Sequence, residues 1–205
     1  SNKSDIITWK PATKGICSAK EAFKFLNQQM QVPRPTQGAR GITDEAMNIL
    51  RRMWKHKMLP PNIKTFGWRL IRKAIATGAR AGNLSSRISK QCDRCNDMEN
   101  DAHLFFHCSF ARAVWFSSNT PIYTSMLPIE QDGVEEILAG IITSNTSEQQ
   151  MQRIMTTLWY LWKARNDLHF QRKTWTVLQV KHAVEADIKV SFLEAGDNAA
   201  TNLSA

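Results

Sequence analysis

Three cysteines and one histidine stand close together near the middle of the chain, at the spacing C-x2-C-x7-H-x4-C. These residues are Cys92, Cys95, His103 and Cys108. Two thiolates separated by two residues can converge on one tetrahedral Zn²⁺ at about 2.3 Å, and a His and a Cys from the following segment complete the shell. The low cysteine content and the absence of a signal-peptide pattern argue against disulfides. The motif therefore predicts one zinc ion, in preference to three buried thiols without a metal.

The fourth ligand is open between Cys108 and His107. His103 and His107 are four residues apart and would share one face of a helix, which gives a C2H2 alternative. Cys108 is five residues from His103, so it needs a sharp turn or a break in the helix. Ser109 is a good N-cap residue for a following helix, which predicts that break at Cys108. We therefore favour the set with Cys108, a closed site of three thiolates and one imidazole that holds zinc for structure and not for catalysis.

The segment before the zinc motif is strongly basic. Between Ala46 and Cys92 the chain has eleven Lys or Arg residues and no Asp or Glu, within a chain of 205 residues and net charge +9. This excess favours an anionic partner, and nucleic acid is the first choice. The residues that we assign to nucleic-acid binding are Arg51, Arg52, Lys55, Lys64, Arg69, Arg72 and Lys73. The alternative is an ordinary solvated surface, although such surfaces usually mix both signs.

Two helices are predicted to present these basic residues. The first begins near Thr43 and separates an apolar face from a basic one. Pro60 and Pro61 end it and start the second helix, since proline is tolerated only in the first turn, and Gly78 is predicted to end that second helix. Trp68 lies near the edge of the basic face, where we expect it to pack in the core, with base stacking as the alternative.

The loop that carries the zinc motif is predicted to contribute little to nucleic-acid binding. Arg94 is offset there by several acidic residues, and a zinc centre with three thiolates is itself mildly negative. The acidic residues are Asp93, Asp97, Glu99 and Asp101. We therefore expect this loop to repel phosphate.

The chain as a whole predicts a mostly α fold. We expect a small helical domain with a short N-terminal β-hairpin and a CCHC zinc knuckle, followed by a C-terminal helical segment. Capping patterns at Ser18, Ser147 and Thr176 predict the starts of one N-terminal and two C-terminal helices. The segments are 1–42 for the hairpin, helix and linker, 43–118 for the basic zinc-binding domain, 119–195 for the C-terminal helices and 196–205 for a disordered tail.

Tryptophans, prolines and zinc-ligand residues follow one another in a distinctive order between Trp9 and Phe170. The positions in between are Gly15, Trp54, Pro60–Pro61, Trp68, Cys92, Cys95, His103, Cys108, Trp115, Trp162 and Arg165–Asn166. This order resembles the zinc-binding domain downstream of reverse transcriptase in plant non-LTR (LINE-type) retroelements. The resemblance implies the ligand set Cys92, Cys95, His103 and Cys108, with His107 a variable position. It also implies a place beside a polymerase, where the domain would help to hold template RNA or target DNA.

No motif for catalysis is found, since the sequence has no P-loop, Rossmann glycine motif, zinc-protease HExxH or serine-hydrolase motif. We therefore predict a module that is not an enzyme, is stabilised by Zn²⁺ and binds RNA or single-stranded DNA. The alternative is a host-adopted scaffold that engages a protein partner through its C-terminal helices. Neither a small-molecule substrate nor a membrane span is expected, and the predicted location is intracellular, nuclear or cytoplasmic.

Overall fold

The structure, a computed structural model, describes residues 42–120, 122–127 and 133–201. The chain divides into two compact units, Ser1–Gly41 and Ile42–Ala205, and the described residues belong to the second. Its helices are α1 (Asp44–Lys55), α2 (Pro61–Ile71), α3 (Gly78–Leu84), α4 (Ser109–Ser117), α5 (Val134–Ile141), α6 (Glu148–Gln171) and α7 (Val177–Thr201), with a π-helical turn at His103–His107 and a 3₁₀ turn at Thr124–Met126.

The prediction of a mostly helical fold is confirmed for this part of the chain. Its described residues contain no strand, and the only extended pairing is an antiparallel bridge between Gln91 and Met98. The predicted N-terminal hairpin and the helix predicted from Ser18 lie outside the described residues. The division between 43–118 and 119–195 stays a prediction from sequence.

Helices α1 and α2 begin where the sequence predicts. The Thr43 hydroxyl accepts the N–H of Ala46 at 3.2 Å and caps α1. Pro61 is the first residue of α2 and needs no hydrogen-bond acceptor for its nitrogen.

Gly78 begins a helix, whereas the sequence predicted that it ends one. Helix α2 ends at Ile71, and Thr77 then caps α3 by accepting the N–H of Arg80. A Cβ at Gly78 would lie 3.1 Å from the carbonyl oxygens of Ser89 and Lys90. The close approach of the Ser89 and Lys90 backbone therefore requires a glycine at this position. The pattern of residues along the sequence does not reveal such an approach.

The two long C-terminal helices start at the predicted capping boxes. At α6, the Gln150 N–H donates to Ser147 Oγ at 3.2 Å and the Ser147 N–H donates to Gln150 Oε1 at 2.9 Å. Thr176 and Gln179 form the same pair of bonds before α7. Helix α7 extends to Thr201, so residues 196–201, which were assigned to a disordered tail, are helical in the structure.

Helix α6 lies at the centre of the core, next to the elements that surround the zinc motif. Its apolar residues Met151, Ile154, Met155, Leu158 and Leu161 are buried, and the helix packs against α2, α7 and the π-helical turn. Phe66 of α2 links two of these contacts, because its ring lies 5.5 Å from that of Trp159 and 5.9 Å from that of Phe105. Within the described residues, no helix combines the length and the apolar character that crossing a membrane requires.

Candidate metal centre

A tight turn presents the first two candidate ligands. Cys92 and Cys95 lie in a turn that is closed by the Cys92 N–H, which donates to the Asp97 carbonyl at 2.7 Å. The Asn96 N–H donates to the Cys92 carbonyl at 2.9 Å. Asn96 has a positive φ of 65°, in the left-handed region that asparagine tolerates better than most residues. The turn therefore directs both thiols to the same side of the backbone.

A π-helical turn presents the other two ligands. The Cys108 N–H donates to the His103 carbonyl at 2.8 Å, a bond between residues five apart. Helix α4 follows directly, and its N-cap is Cys108, one residue before the predicted cap at Ser109. Cys108 has the non-helical backbone of a cap, and its carbonyl accepts the N–H of Arg112. The predicted break at Cys108 is therefore present, and the π turn spans the five-residue separation.

The geometry of the four side chains fits a tetrahedral zinc ion. Their ligand atoms all lie within 4.8 Å of one another, and the group contains Cys108 but not His107. The Sγ atom of Cys108 is 3.9 Å from that of Cys92 and 3.9 Å from that of Cys95, and His103 Nε2 is 3.2 Å from Cys95 Sγ. Tetrahedral bonds of about 2.3 Å to sulfur imply S–S separations of about 3.8 Å and S–N separations of about 3.5 Å. The donor set is therefore that of a closed structural site.

The protonation of the thiols depends on their mutual contacts. A hydrogen bond from the Cys108 thiol lowers the pKa of Cys92 to about 3, and the same contact raises the pKa of Cys108. Partial burial raises the pKa of Cys95. The protein alone therefore favours one thiolate, because further ionisation would place like charges together. A divalent cation removes that repulsion, and the cysteine ligands of zinc are deprotonated.

Arg94 supplies a positive charge beside the thiols. Its guanidinium lies over the Phe110 ring, 3.6 Å from the ring centre. Burial lowers the pKa of Arg94, whereas the charges of Cys108 and Cys92 oppose this shift. A guanidinium stays protonated under such conditions and partly balances the negative charge of a three-thiolate centre.

Two buried carboxylates bind the zinc loop, residues 92–108, to the neighbouring helices. Glu99 accepts the Gly78 N–H at 2.8 Å and an N–H from Arg165 Nη2 at 2.6 Å. Asp101 pairs with Arg80, whose Nη1 lies 2.8 Å from Asp101 Oδ1. This role was not predicted from the sequence, where both carboxylates were counted only among the charges of the loop. Their partners Arg165 and Arg80 are distant in the sequence, so no local signal indicated the pairs.

The expected repulsion of phosphate by the zinc loop stays a prediction, although most carboxylates of the loop have partners in the fold. Besides the two buried carboxylates, Asp93 is engaged, with its Oδ2 atom 2.7 Å from His169 Nδ1 and its Oδ1 atom 3.8 Å from Arg172 Nη1. The fourth acidic residue, Asp97, is exposed. Most of the negative charge counted from the sequence is thus neutralised within the fold.

Four of the seven predicted nucleic-acid residues have partners within the protein, and one of them, Arg69, donates to the Ala74 carbonyl at 3.3 Å. Arg52 donates to the carbonyls of Thr143 and Thr146 at 2.7 and 2.6 Å and joins α1 to the segment before α6. Lys73 lies 2.7 Å from Glu135 of α5. The Lys64 ammonium donates to the Trp54 carbonyl at 3.3 Å. Arg52 and Lys73 are therefore engaged in contacts between helices and segments of the protein, which makes them less available to a ligand.

The other three predicted residues, together with Arg69, are exposed to solvent. Arg51, Lys55, Arg69 and Arg72 are exposed, and none forms an ion pair with any residue that the structure describes. Two tryptophans accompany them. Trp54 is 53% exposed, and Trp68, which was expected to pack in the core, is 45% exposed. The buried apolar residues of α1 and α2 fill the core, so both indoles face solvent beside the exposed Lys and Arg residues of these helices.

Comparison with known proteins places the zinc motif within a family. Residues 18–115 match the family described as zinc-binding in reverse transcriptase. The matched range includes helices α1 to α3 and all four ligand residues of the metal centre. No curated protein and no solved structure matches the chain. Over residues 18–115 this chain is therefore similar to the zinc-binding domains of reverse transcriptases.

Proposed function

We propose that this domain binds single-stranded nucleic acid, RNA or DNA, through the exposed face of α1 and α2. The observation that carries the proposal is the occurrence of two exposed tryptophans, Trp54 and Trp68, among exposed arginines and lysines. Proteins that bind single strands combine aromatic side chains, on which bases stack, with cations that follow the phosphates. We therefore favour a binding role for these basic residues over the alternative of an ordinary solvated surface.

The two helices present these groups on adjacent faces. On α1, Trp54 and Lys55 follow Arg51 by three and four residues, which places all three on one face. On α2, Trp68 follows Lys64 by four residues on the same face. The hydrogen bond from Lys64 to the Trp54 carbonyl joins the two helices at this point. A strand laid across the helices would meet both indoles and the neighbouring cations.

Zinc has a structural role in this proposal. When bound, it cross-links the Cys92 turn to the π-helical turn and leaves no ligand position for a water nucleophile. We therefore propose that the domain positions a strand and does not itself catalyse a reaction. The resemblance to plant LINE-type elements supports an origin in such an element, where the domain would hold template RNA or target DNA for the polymerase.

Salt dependence of binding tests the proposed surface. Fluorescence polarisation with a short labelled single strand should give a log–log slope of about −2.8 if four phosphates are neutralised, since each contributes about −0.7. The double variant Arg69→Gln with Arg72→Gln should flatten the slope by about 1.4. The matched control is Arg112→Gln with Lys189→Gln, which removes the same charge from exposed positions on α4 and α7. An equal effect of both double variants would mean that binding is diffuse and would overturn the proposal.

A protein-interaction scaffold is the second candidate, favoured by a different surface. Helix α7 exposes several large apolar side chains. They are Leu178, Val190, Phe192 and Leu193. Such side chains often mark a protein interface. A wild-type protein without salt-dependent affinity for single strands, together with loss of self-association or partner binding in Val190→Ser with Leu193→Ser, would favour this candidate.

A further inference from the structure

A second cationic groove lies at the turn between α6 and α7, away from the residues of α1 and α2. It has a volume of about 310 Å³ and is lined by Lys173, Trp175, Gln179, His182 and Ala183. None of these lining residues is acidic. The first turn of α7, which borders the groove, also has no acidic residue. The positive end of the α7 helix dipole lies at this turn.

The indole of Trp175 forms a fixed wall of this groove. Its Nε1–H donates to Asp167 Oδ2 at 2.8 Å. Its ring lies 6.0 Å from that of Tyr160, which supports it from α6. The Asp167 carboxylate therefore already accepts a hydrogen bond from the indole. The wall is therefore held in place by contacts outside the groove.

Two lysines lie close to this indole. The ammonium groups of Lys163 and Lys173 are 5.9 and 5.8 Å from the centre of the Trp175 ring. Neither lysine forms an ion pair with another described residue. Cation–π contacts at exposed sites contribute only about 0.5–1 kcal/mol, so both ammonium groups can turn toward an anion at small cost.

We infer that this groove binds a phosphate of a single-stranded nucleic acid, with the attached nucleotide against Trp175. Lysine ammonium groups bind phosphate as point charges, and an indole beside them accepts a base or sugar without regard to sequence. The inference rests on the proposed function and adds a second point of contact to it. A strand that reaches both places would be held at two separate positions.

The test uses the zinc-loaded full chain and a short polyuridine strand. The variant Lys163→Gln with Lys173→Gln should flatten the log–log salt slope by about 0.7, because the phosphate in the groove loses its cations. The control Arg112→Gln with Lys189→Gln should leave the slope unchanged. A strand that contains 4-thiouridine should form a photo-crosslink to the peptide that contains Trp175, and Lys163→Gln with Lys173→Gln should reduce its yield. Circular dichroism and zinc content check that the variants fold.

The outcomes for the groove and for the face of α1 and α2 are separable. If the groove variant binds like the control and no crosslink maps to Trp175, the inference is overturned while the proposed face can still stand. If only the groove variant loses salt dependence, the proposed face fails and the groove is supported. A wild-type protein that neither binds nor crosslinks overturns both.

Discussion

The separation of five residues between His103 and Cys108 determines how this metal centre is built. An α-helix brings together residues that are three or four apart, which would favour His103 with His107. The π turn, closed by the Cys108 N–H, instead aligns residues five apart and leaves Cys108 as the N-cap of α4. The ligand choice is thus a consequence of local backbone geometry.

Substitution of the fourth ligand distinguishes the two candidate sets. Cys108→Ser should lower zinc affinity by more than about 100-fold, since even residues that only support a ligand contribute 10–100-fold. His107→Ala is the matched control and should retain one zinc per chain. Competition with a metal indicator and elemental analysis measure both quantities. Equal losses in the two variants would contradict the assignment of Cys108.

The buried ion pair of Glu99 should be important for the stability of the zinc loop. Glu99→Gln leaves the Arg165 guanidinium buried without its counter-charge, and breaking a buried pair in this way costs about 3–5 kcal/mol. Asp97→Asn removes a carboxylate from the same loop at an exposed position and should change the free energy of unfolding by less than about 0.5 kcal/mol. Urea denaturation of the zinc-loaded proteins measures the difference. Similar stabilities would show that the Glu99 pair does not hold the loop.

At the scale of elements, a glycine that begins α3 explains why the zinc loop can approach this helix. Gly78 donates its N–H to Glu99, and its missing side chain leaves room for the backbone of Ser89 and Lys90. Backbone atoms cannot move aside as a flexible side chain can. The loop and the helix are therefore fitted to each other at this residue.

Two glycine substitutions should change stability in opposite directions. Gly78→Ala puts a Cβ 3.1 Å from two carbonyl oxygens and should destabilise the protein by about 1–3 kcal/mol through overpacking. At Gly140, within α5, a Cβ would meet nothing within 4 Å, so Gly140→Ala should stabilise by about 0.5–1 kcal/mol. Thermal or urea unfolding measures both. A stabilised Gly78→Ala protein would show that the close approach is not a constraint.

The sequence predicted elements well where a few neighbouring residues define them. The capping boxes at Ser147 and Thr176 are complete within four residues, and both helices start there. The four zinc ligands are likewise encoded within a short segment. The role of Gly78, the burial of Glu99 and the exposure of Trp68 depend on distant parts of the chain. Local spacing contains no information about such contacts.

At the scale of the whole molecule, charge counted along the sequence differs from charge available at the surface. In the C-terminal half, some acidic residues are paired with basic residues of the same half, for example Glu99 with Arg165 and Glu185 with Arg153. Basic residues of α1 and α2 are less fully paired among the described residues. The exposed cations of α1 and α2 are therefore available to a ligand without the loss of an ion pair between described residues.

Acid should release zinc and destabilise the molecule together. Thiolate and neutral imidazole are the forms that bind zinc, so bound zinc holds the pKa of each ligand below its value in the unfolded chain. This contribution to stability is present above the unfolded pKa values and is lost as pH falls through the folded ones. Zinc content and melting temperature, followed together from neutral to acidic pH, should therefore decrease in parallel. A melting temperature that stays constant while zinc is lost would show that the metal does not stabilise the fold.

Removal of zinc at neutral pH should loosen the molecule unevenly. Binding to small structural sites contributes about 10–16 kcal/mol in peptides, so the segment from Cys92 to Cys108 should lose its structure when a chelator removes the metal. Loss of the loop also releases Arg165 and His169 from their partners, which weakens the C-terminal part of α6. The start of α6 is held separately, since Glu148 contacts Arg52 and His56 near α1. Hydrogen exchange should therefore accelerate in residues 92–108 and toward the end of α6, and remain slow near Met151 and Ile154. Uniform acceleration along α6 would show instead that the zinc loop and the helical core unfold as one unit.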